Sequence, residues 1–362
     1  MPSSTTYAEF GANTEAVEVA KAFADGIKGK TILVTGVNKD GLGYSAAYAF
    51  ATQQPANLIL TGRNPDKIQI CIDAINAEFP NINCRALKVD LSSQASIREA
   101  AKEVLAWDDI PAINIIVNSA GVMGLTNRTI NKDGIEMHFA TNHIGHWLLS
   151  CLIMPKLITA AKSSPKGATR IVNVSSGSPM VSSMRWSDMN FEKINTTLPE
   201  DEQPSYEWLK SWGYENAADV AYVPVDGYNR SKVANILFGI GATKRLFESH
   251  GIFVTGLHPG VIKTELARNF VPETLEKIEE LRVKGIYTLK TLGAGSSTAL
   301  VAALDPKLAV EVGETVNGME NYGAFLADCQ IFNKTKKLAV ASSEAEKLWE
   351  LSEKLVGQKF AW

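Results

Sequence analysis

Short apolar runs rich in β-branched residues alternate with longer segments of helical periodicity from Thr31 onwards. Runs such as ILV, LIL, INIIV and RIVNV have no polar face, which is typical of parallel strands that helices cover on both sides. The alternation therefore predicts consecutive βαβ units. The predicted strands span residues 31–35, 57–61, 83–89, 113–118, 170–174, 252–258 and 314–318.

The segments between these runs predict helices, and right-handed crossovers place such helices on both faces of the sheet. The expected architecture is an α/β, doubly wound Rossmann fold with about seven parallel strands. The predicted helices span residues 42–54, 65–79, 95–106, 134–161 and 227–250.

The strands and helices lie inside one main domain, which we predict to span residues 29–325. Residues 1–28 precede the first strand and form a predicted N-terminal extension with one short helix at 15–24. Residues 326–362 form a predicted C-terminal helical extension.

Two segments interrupt the rhythm of the main domain. Residues 177–225 carry many tryptophans and tyrosines, too many for a disordered linker, and the segment is too long for an ordinary loop. Residues 265–292 follow the sixth strand and form a predicted substrate-loop region. In the C-terminal extension, Ser343 and Glu346 form a capping-box pattern that predicts a helix start.

The composition limits the classes of partner. Apolar residues make up 45% and charged residues 21% of the 362 residues, with a formal net charge of -3, as expected of a chain with a substantial core. A slightly acidic chain has no excess positive charge for a polyanion, so we predict no nucleic-acid partner. The sequence has no run of 18 apolar residues and no secretory signal pattern, so we predict no membrane span.

The cysteines and histidines show no metal-binding pattern. The cysteines are scattered, without C-x-x-C spacing, so we predict no metal, no disulfide framework and a reducing, cytoplasmic location. His143 and His146 lack partners at ligand spacing, and we interpret both as structural. The cysteines are Cys71, Cys84, Cys151 and Cys329.

The first predicted strand ends in a glycine-rich turn, TGVNKDGLG, that runs directly into a helix. Glycines at such a turn let the backbone approach a pyrophosphate, which the positive end of the helix dipole then stabilises. The spacing matches neither G-x-G-x-x-G nor the Walker pattern. The turn predicts nucleotide binding.

This turn resembles the T-G-x-x-x-G-x-G of short-chain dehydrogenases/reductases, with one residue inserted before Gly41. The resemblance implies a nicotinamide dinucleotide as cofactor. The implied contacts from the turn are Gly36, Asn38, Lys39, Gly41, Leu42 and Gly43.

The second predicted strand ends in Thr61-Gly62-Arg63-Asn64, where NAD enzymes of doubly wound folds carry an acidic residue for the ribose hydroxyls. No carboxylate is present in this stretch. Arg63 is able to pair with a 2′-phosphate, with Asn38 or Lys39 assisting. We therefore predict NADP as the cofactor and NAD as the less favoured one.

Tyr228 and Lys232 form a Tyr-x-x-x-Lys pair, which puts a phenol and an ammonium on one face of a helix. A nearby cation is expected to lower the pKa of the tyrosine towards a range useful for proton transfer. Tyr206 and Lys210 match the same pattern. Only Tyr228 opens an apolar helix leading into a strand, so we predict that it is the proton-transfer group.

The family resemblance assigns further roles along the chain. Ser176, or Ser175 as the alternative, would bind the substrate oxygen at the end of the fifth strand, and Asn142 would anchor a water-linked proton relay to Lys232. The remaining implied cofactor contacts are Tyr228 and Lys232 themselves, Asp90, Leu91, Asn118, Ala120, Gly121, Pro259, Gly260, Ile262 and Thr264.

The long interval between Ser176 and Tyr228 resembles the branch of retinol-dehydrogenase-like and WW-domain-oxidoreductase-like proteins. This implies an oxidoreductase that interconverts a carbonyl and an alcohol on a bulky apolar small molecule. It also implies a homodimer or homotetramer through residues 134–161 and 227–250, unless the C-terminal extension blocks that surface. Two alternatives are an extended-type short-chain epimerase or dehydratase, and a non-catalytic nicotinamide-binding sensor or scaffold.

Overall fold

A computed structural model describes residues 5–316, 319–323 and 325–362. The strands of their central sheet are β1 Thr31–Val34, β2 Asn57–Gly62, β3 Asn83–Lys88, β4 Ile115–Asn118, β5 Thr169–Val174, β6 Ile252–His258, β7 Phe325–Ala327 and β8 Gln330–Ile331. The strand order is β8-β7-β6-β5-β4-β1-β2-β3, in which β1 to β7 are parallel and β8 is antiparallel to β7. This arrangement confirms the predicted doubly wound sheet.

The predicted seventh strand at 314–318 is wrong. Thr315–Val316 pairs with Met319–Glu320 in a separate two-stranded sheet, and Gly318 lies outside the described residues. The place beside β6 is taken by β7, whose three residues are buried, whereas Thr315 is exposed. The position beside β6 is buried, so the hydrophobic effect favours the apolar segment Phe325–Ala327 there over the more polar segment 314–318.

Helices cover both faces of the sheet and bury two separate cores. One face carries α1, α2, α3 and α11, and the other carries α4, α5, α6, α9 and α12. The helices are α1 Ala16–Ala22, α2 Leu42–Ala51, α3 Pro65–Glu78, α4 Gln94–Leu105, α5 Gly145–Leu152, α6 Met154–Ala161, α7 Ser178–Val181, α8 Tyr206–Ser211, α9 Pro224–His250, α10 Pro272–Val283, α11 Leu292–Leu304 and α12 Ser342–Val356; the π-helical turn Phe139–Ile144 precedes α5.

The 3-10 helices are Ala24–Gly26, Asn195–Thr197, Glu200–Glu202, Ala217–Asp219, Glu265–Asn269, Pro306–Ala309 and Lys337–Val340. In the described ranges, no single helix is long and apolar enough to cross a membrane, although Phe139–Leu152 and Met154–Ala161, bent by 58°, meet the length and composition criteria together.

The C-terminal helix α12 is present, but the predicted capping box is wrong. The helix begins at Ser342 after Ala341, so Ser343 lies inside its first turn and no side chain caps it. Packing rather than capping holds the helix: Trp349 lies edge-on to Trp147 of α5 at 5.2 Å between ring centroids, and its helix packs along α9.

The aromatic insertion 177–225 has a small core of its own. Arg230 of α9 anchors it, because its guanidinium pairs with Asp226 and donates to the carbonyl oxygens of Ser183 and Met184. The buried core residues are Leu209, Ala217, Val223 and Val225, with Tyr206, Trp208, Trp212 and Tyr214 packed against them.

Candidate active site

The glycine turn joins β1 to α2 where the strand order reverses, which is the place where open α/β sheets bind ligands. Gly36 has φ +70°, and a Cβ added to it would lie 2.5 Å from the Cα of Ala120. A Cβ on Gly43 would lie 2.9 Å from the carbonyl oxygens of Thr35 and Gly36. Both positions require glycine because backbone segments meet there without room for a side chain.

A cleft of about 740 Å³ opens at this turn, within the range of roughly 300–1,000 Å³ typical of ligand and cofactor sites. Gly41 caps α2 without a side-chain hydrogen bond, so the positive end of this helix faces the cleft without a capping side chain. These features fit a dinucleotide. Predicted cofactor residues that line the cleft are Gly36, Asn38, Gly41, Leu42, Gly43, Arg63, Leu91, Ala120, Gly121 and Thr264.

Other predicted cofactor residues lie outside the lining of the cleft. Asp90 accepts hydrogen bonds from the backbone and side chain of Ser92, and Asn118 is buried and donates to Asn173. Both therefore shape the strand ends in this structure. The others outside the lining are Lys39, Tyr228, Pro259, Gly260 and Ile262, with Lys232 behind the wall formed by Gly121.

Tyr228 and Lys232 share one face of α9, as the spacing predicts, and both side chains are buried. The Lys232 ammonium lies 5.7 Å from the Tyr228 ring centroid and donates to the Val174 carbonyl oxygen at 2.8 Å. Burial lowers the pKa of Lys232 to about 7. Burial also raises the pKa of Tyr228, and the hydrogen bond with Ser176 opposes this only in part.

The predicted lowering of the Tyr228 pKa by Lys232 is therefore wrong for the protein on its own. Burial removes water from around the phenol, and its effect on the pKa of Tyr228 outweighs that of Lys232, which is itself buried. A raised pKa keeps the phenol protonated near neutral pH, which is the form that donates a proton.

Ser175 and Ser176 end β5 but have different environments. The Ser175 hydroxyl donates to the Lys232 carbonyl oxygen at 2.6 Å and is buried. Ser176 is partly exposed and lies close enough to Tyr228 to lower the pKa of its phenol. Of the two serines, Ser176 is the one that faces the tyrosine.

Asn142 lies in the π-helical turn and is fully buried. Its amide exchanges hydrogen bonds with the backbone of Val122 and donates to Ser231 at 2.9 Å. A Cβ on Gly121 would lie 3.3 Å from the Asn142 Oδ1 and 3.6 Å from the Lys232 Nζ. Asn142 and Lys232 thus lie just behind the wall of the cleft.

The sequence missed how His146 contributes. Its Nδ1 lies 3.0 Å from the Asn142 carbonyl oxygen, which can only accept, so Nδ1 carries the proton. The Nε2 then accepts from the Thr35 hydroxyl at 2.8 Å, and Thr35 accepts from the backbone of Ser119 and Ala120. His146 therefore connects Asn142 to the glycine turn. No local pattern in the sequence indicates this link.

The cleft also has residues that the motifs did not predict. Lys67 lies one turn after Arg63 and pairs with Glu265 across the cleft at 3.3 Å. Its place in the first turn of a helix beside a predicted phosphate contact is the signal that could have identified it. The additional lining residues are Val37, Thr61, Gly62, Asn64, Lys67, Val89, Ser119, Val122, Thr141, Glu265, Leu266 and Arg268.

Comparison with known proteins agrees with this geometry. A family model described as short chain dehydrogenase matches residues 30–188. The chain is 35% identical over 251 residues to Oxidoreductase fscI from Fusarium equiseti, covering 69% of this chain and 94% of that protein. It is 32% identical over 343 residues to Retinol dehydrogenase 13 from Homo sapiens, covering 91% of this chain and 86% of that protein.

Among solved structures, the chain is similar to NADPH bound carbonyl reductase from chicken fatty liver, with a TM-score of 0.53 and 21% sequence identity. The match covers 83% of this chain and 97% of that one. At this level of identity, the likeness shows a shared fold.

Proposed function

This chain belongs to the short-chain dehydrogenase/reductase family, in its retinol-dehydrogenase-like branch, and on that premise we propose that it is an NADP-dependent oxidoreductase that interconverts a carbonyl and an alcohol. One observation carries the proposal. The Asn142 amide and the Lys232 ammonium lie within 4 Å of the Cβ position of Gly121, which lines the cleft. Two members of the proposed proton relay therefore adjoin the proposed cofactor site.

In the direction of reduction, a bound nicotinamide would supply the hydride for a carbonyl carbon. Tyr228 donates its phenol proton to the carbonyl oxygen, and its raised pKa keeps that proton available. Ser176 binds and polarises the same oxygen. Lys232 holds the nicotinamide ribose, and Asn142 anchors the relay that returns a proton to Tyr228. In oxidation the same groups act in reverse.

Arg63 is the residue that we expect to select NADP over NAD. It lines the cleft at the end of β2 and is exposed, and Asn64 and Lys67 lie beside it. A guanidinium forms charge-assisted hydrogen bonds with a phosphate, worth about 1.5–3 kcal/mol. Arg63→Ala should therefore weaken NADPH binding by about 10- to 150-fold and leave NADH binding nearly unchanged.

Titration of the purified protein with each nucleotide, followed by fluorescence, measures both affinities. Arg85→Ala is the matched control, since Arg85 lies on β3 and pairs with Asp109 away from the cleft. Equal loss of NADPH and NADH binding in Arg63→Ala would contradict a role in cofactor choice. A wild-type protein that binds neither nucleotide would overturn the enzyme proposal and favour a different function.

The proposed substrate is a bulky apolar carbonyl compound. Phe270, between Thr264 and α10, lies 6.2 Å from Trp212 of the insertion, ring to ring. Asn269 donates to the Met123 carbonyl oxygen and accepts from Thr126. Aromatic side chains therefore line the contact between the two segments that we propose as pocket and lid. We expect all-trans-retinal to be reduced with a higher kcat/KM than acetone.

We infer that the chain is a monomer, because α12 covers the helices through which a dimer was expected. Trp349 packs on Trp147 of α5, and Ser352 lies 2.9 Å from the ring of His143. Multi-angle light scattering should give a mass near the 39.2 kDa of one chain. A mass of twice that value would show that another surface associates.

We also propose a cytoplasmic location, since all four cysteines are free thiols.

A further inference from the structure

A chain of hydrogen bonds leads from Ser176 away from the substrate side of the site. The Ser176 and Ser178 hydroxyl oxygens are 2.5 Å apart, and the Ser178 oxygen lies 2.8 Å from the Oδ1 of Asn229. The Ser178 backbone N–H also donates to the Ser176 oxygen at 3.1 Å. Ser178 and Asn229 are each only 3% exposed, so water does not compete for these bonds.

The number of hydrogens fixes the direction of these bonds. An amide oxygen only accepts, so the Ser178 hydroxyl uses its single hydrogen to donate to Asn229. The short contact between the two serines then needs the hydrogen of Ser176. In this arrangement, the Ser176 hydroxyl points towards Ser178 and cannot donate to a carbonyl oxygen of the substrate.

A half-turn of the Asn229 amide reverses both hydrogen bonds between side chains, whereas the Ser178 backbone N–H remains a donor. The amide nitrogen then donates to Ser178, Ser178 donates to Ser176, and the hydrogen of Ser176 becomes free. The exchange of amide nitrogen and oxygen needs almost no change in the positions of the other heavy atoms. Asn229 directly follows Tyr228 in α9, so this amide lies beside the proposed proton donor.

We propose that Asn229 and Ser178 are positioning residues for the reaction, in which the orientation of the Asn229 amide sets whether Ser176 accepts or donates a hydrogen bond at the substrate oxygen. This role rests on the proposed function of Ser176. In reduction, the donating state of Ser176 polarises the carbonyl. The accepting state leaves the oxygen of Ser176 as an acceptor for the hydroxyl of an alcohol.

Asn229→Asp tests the proposal with little change in shape. An ionised carboxylate only accepts, so it holds the hydrogen of Ser178 and keeps Ser176 in the accepting state. With NADPH and 4-nitrobenzaldehyde as the probe, we expect kcat to fall about 10²- to 10³-fold at pH 8, as for a lost donor at a reacting oxygen. As the pH falls and the carboxyl takes up a proton, kcat should recover.

Ser178→Ala provides the control for the charge of the new carboxylate. In this background the hydrogen-bond chain is broken, so adding Asn229→Asp should lower kcat less than threefold. A loss as large as in the single Asn229→Asp variant would overturn the proposal, because a charge or folding effect would then explain it. A loss that does not depend on pH would also overturn it. Ser178→Thr, which keeps the hydroxyl, should retain more activity than Ser178→Ala.

A second measurement does not depend on turnover. Neutron diffraction of the deuterium-exchanged protein locates the hydroxyl deuterons directly. We expect the deuteron between the two serines on Ser176 and the deuteron of Ser178 directed to Asn229; the reverse arrangement in the protein alone would overturn the inferred direction. If NADPH binds and the deuterons lie as expected but the wild type reduces no carbonyl, the proposed function fails and the positioning role fails with it.

Discussion

Replacing Tyr228 by phenylalanine is expected to lower kcat for carbonyl reduction by about 10²- to 10⁴-fold, the typical contribution of a positioned proton donor. The ring is buried, so the substitution removes one oxygen atom and leaves the packing intact. NADPH affinity should change little. Initial rates with NADPH and 4-nitrobenzaldehyde, with a fluorescence titration of NADPH, measure both quantities.

The chain contains its own control for this experiment. Tyr206 begins α8 in the insertion and stands four residues before Lys210, as Tyr228 stands before Lys232. Its hydroxyl donates to Gln203 and lies outside the cleft, while Lys210 pairs with the exposed Glu215. Tyr206→Phe should keep kcat within about twofold of the wild type. Turnover retained in Tyr228→Phe, or lost in Tyr206→Phe, would contradict the assignment of the proton donor.

Gly36→Ala is expected to weaken NADPH binding by about 10- to 150-fold, because moving the turn would break at least one charge-assisted hydrogen bond to the pyrophosphate, worth about 1.5–3 kcal/mol. The added methyl group would lie 2.5 Å from the Cα of Ala120 and 2.8 Å from its Cβ and nitrogen. The glycine turn or the segment that follows β4 must move to relieve this contact, and both line the cleft. Fluorescence titration with NADPH tests this.

Gly29→Ala is the control that distinguishes the contact between the new methyl group and Ala120 from the backbone strain of a positive φ. Gly29 has φ +71°, nearly the same as Gly36, but a Cβ added there meets no atom within 4 Å. Both variants should lose about 1 kcal/mol of unfolding free energy from the left-handed backbone, and only Gly36→Ala should lose NADPH. Comparable affinity in the two variants would mean that the close approach to Ala120 does not shape the cofactor site.

The parts of the fold that the sequence predicted well are those with local causes. The strands β1, β2, β4, β5 and β6 are short apolar runs, and Gly43 is required by its contact with the carbonyl oxygens of Thr35 and Gly36 in the same turn. The pairing of Tyr228 with Lys232 on one helix face also follows from local spacing. For these elements, neighbouring residues carry most of the information.

Errors arose where distant segments compete for one place. The seventh strand formed at Phe325–Ala327 because the edge of β6 needed an apolar partner, and the start of α12 was set by packing on α9 rather than by Ser343. The pKa of Tyr228 is raised rather than lowered as predicted, because it depends on burial of the phenol, which the whole fold determines. None of these three features follows from the residues of one short segment.

The sequence by itself determined the doubly wound sheet, the place of the glycine turn and the helix face that carries Tyr228 and Lys232. Only the tertiary structure decided the direction in which the pKa of Tyr228 shifts, where Asn118 points, and how Ser178 joins Ser176 to Asn229. The physical reason is the distance along the chain over which each effect acts, since periodicity and turn chemistry depend on residues that are close together in the sequence. Burial and hydrogen-bond direction depend on contacts such as that between Ser178 and Asn229, 51 residues apart in the chain.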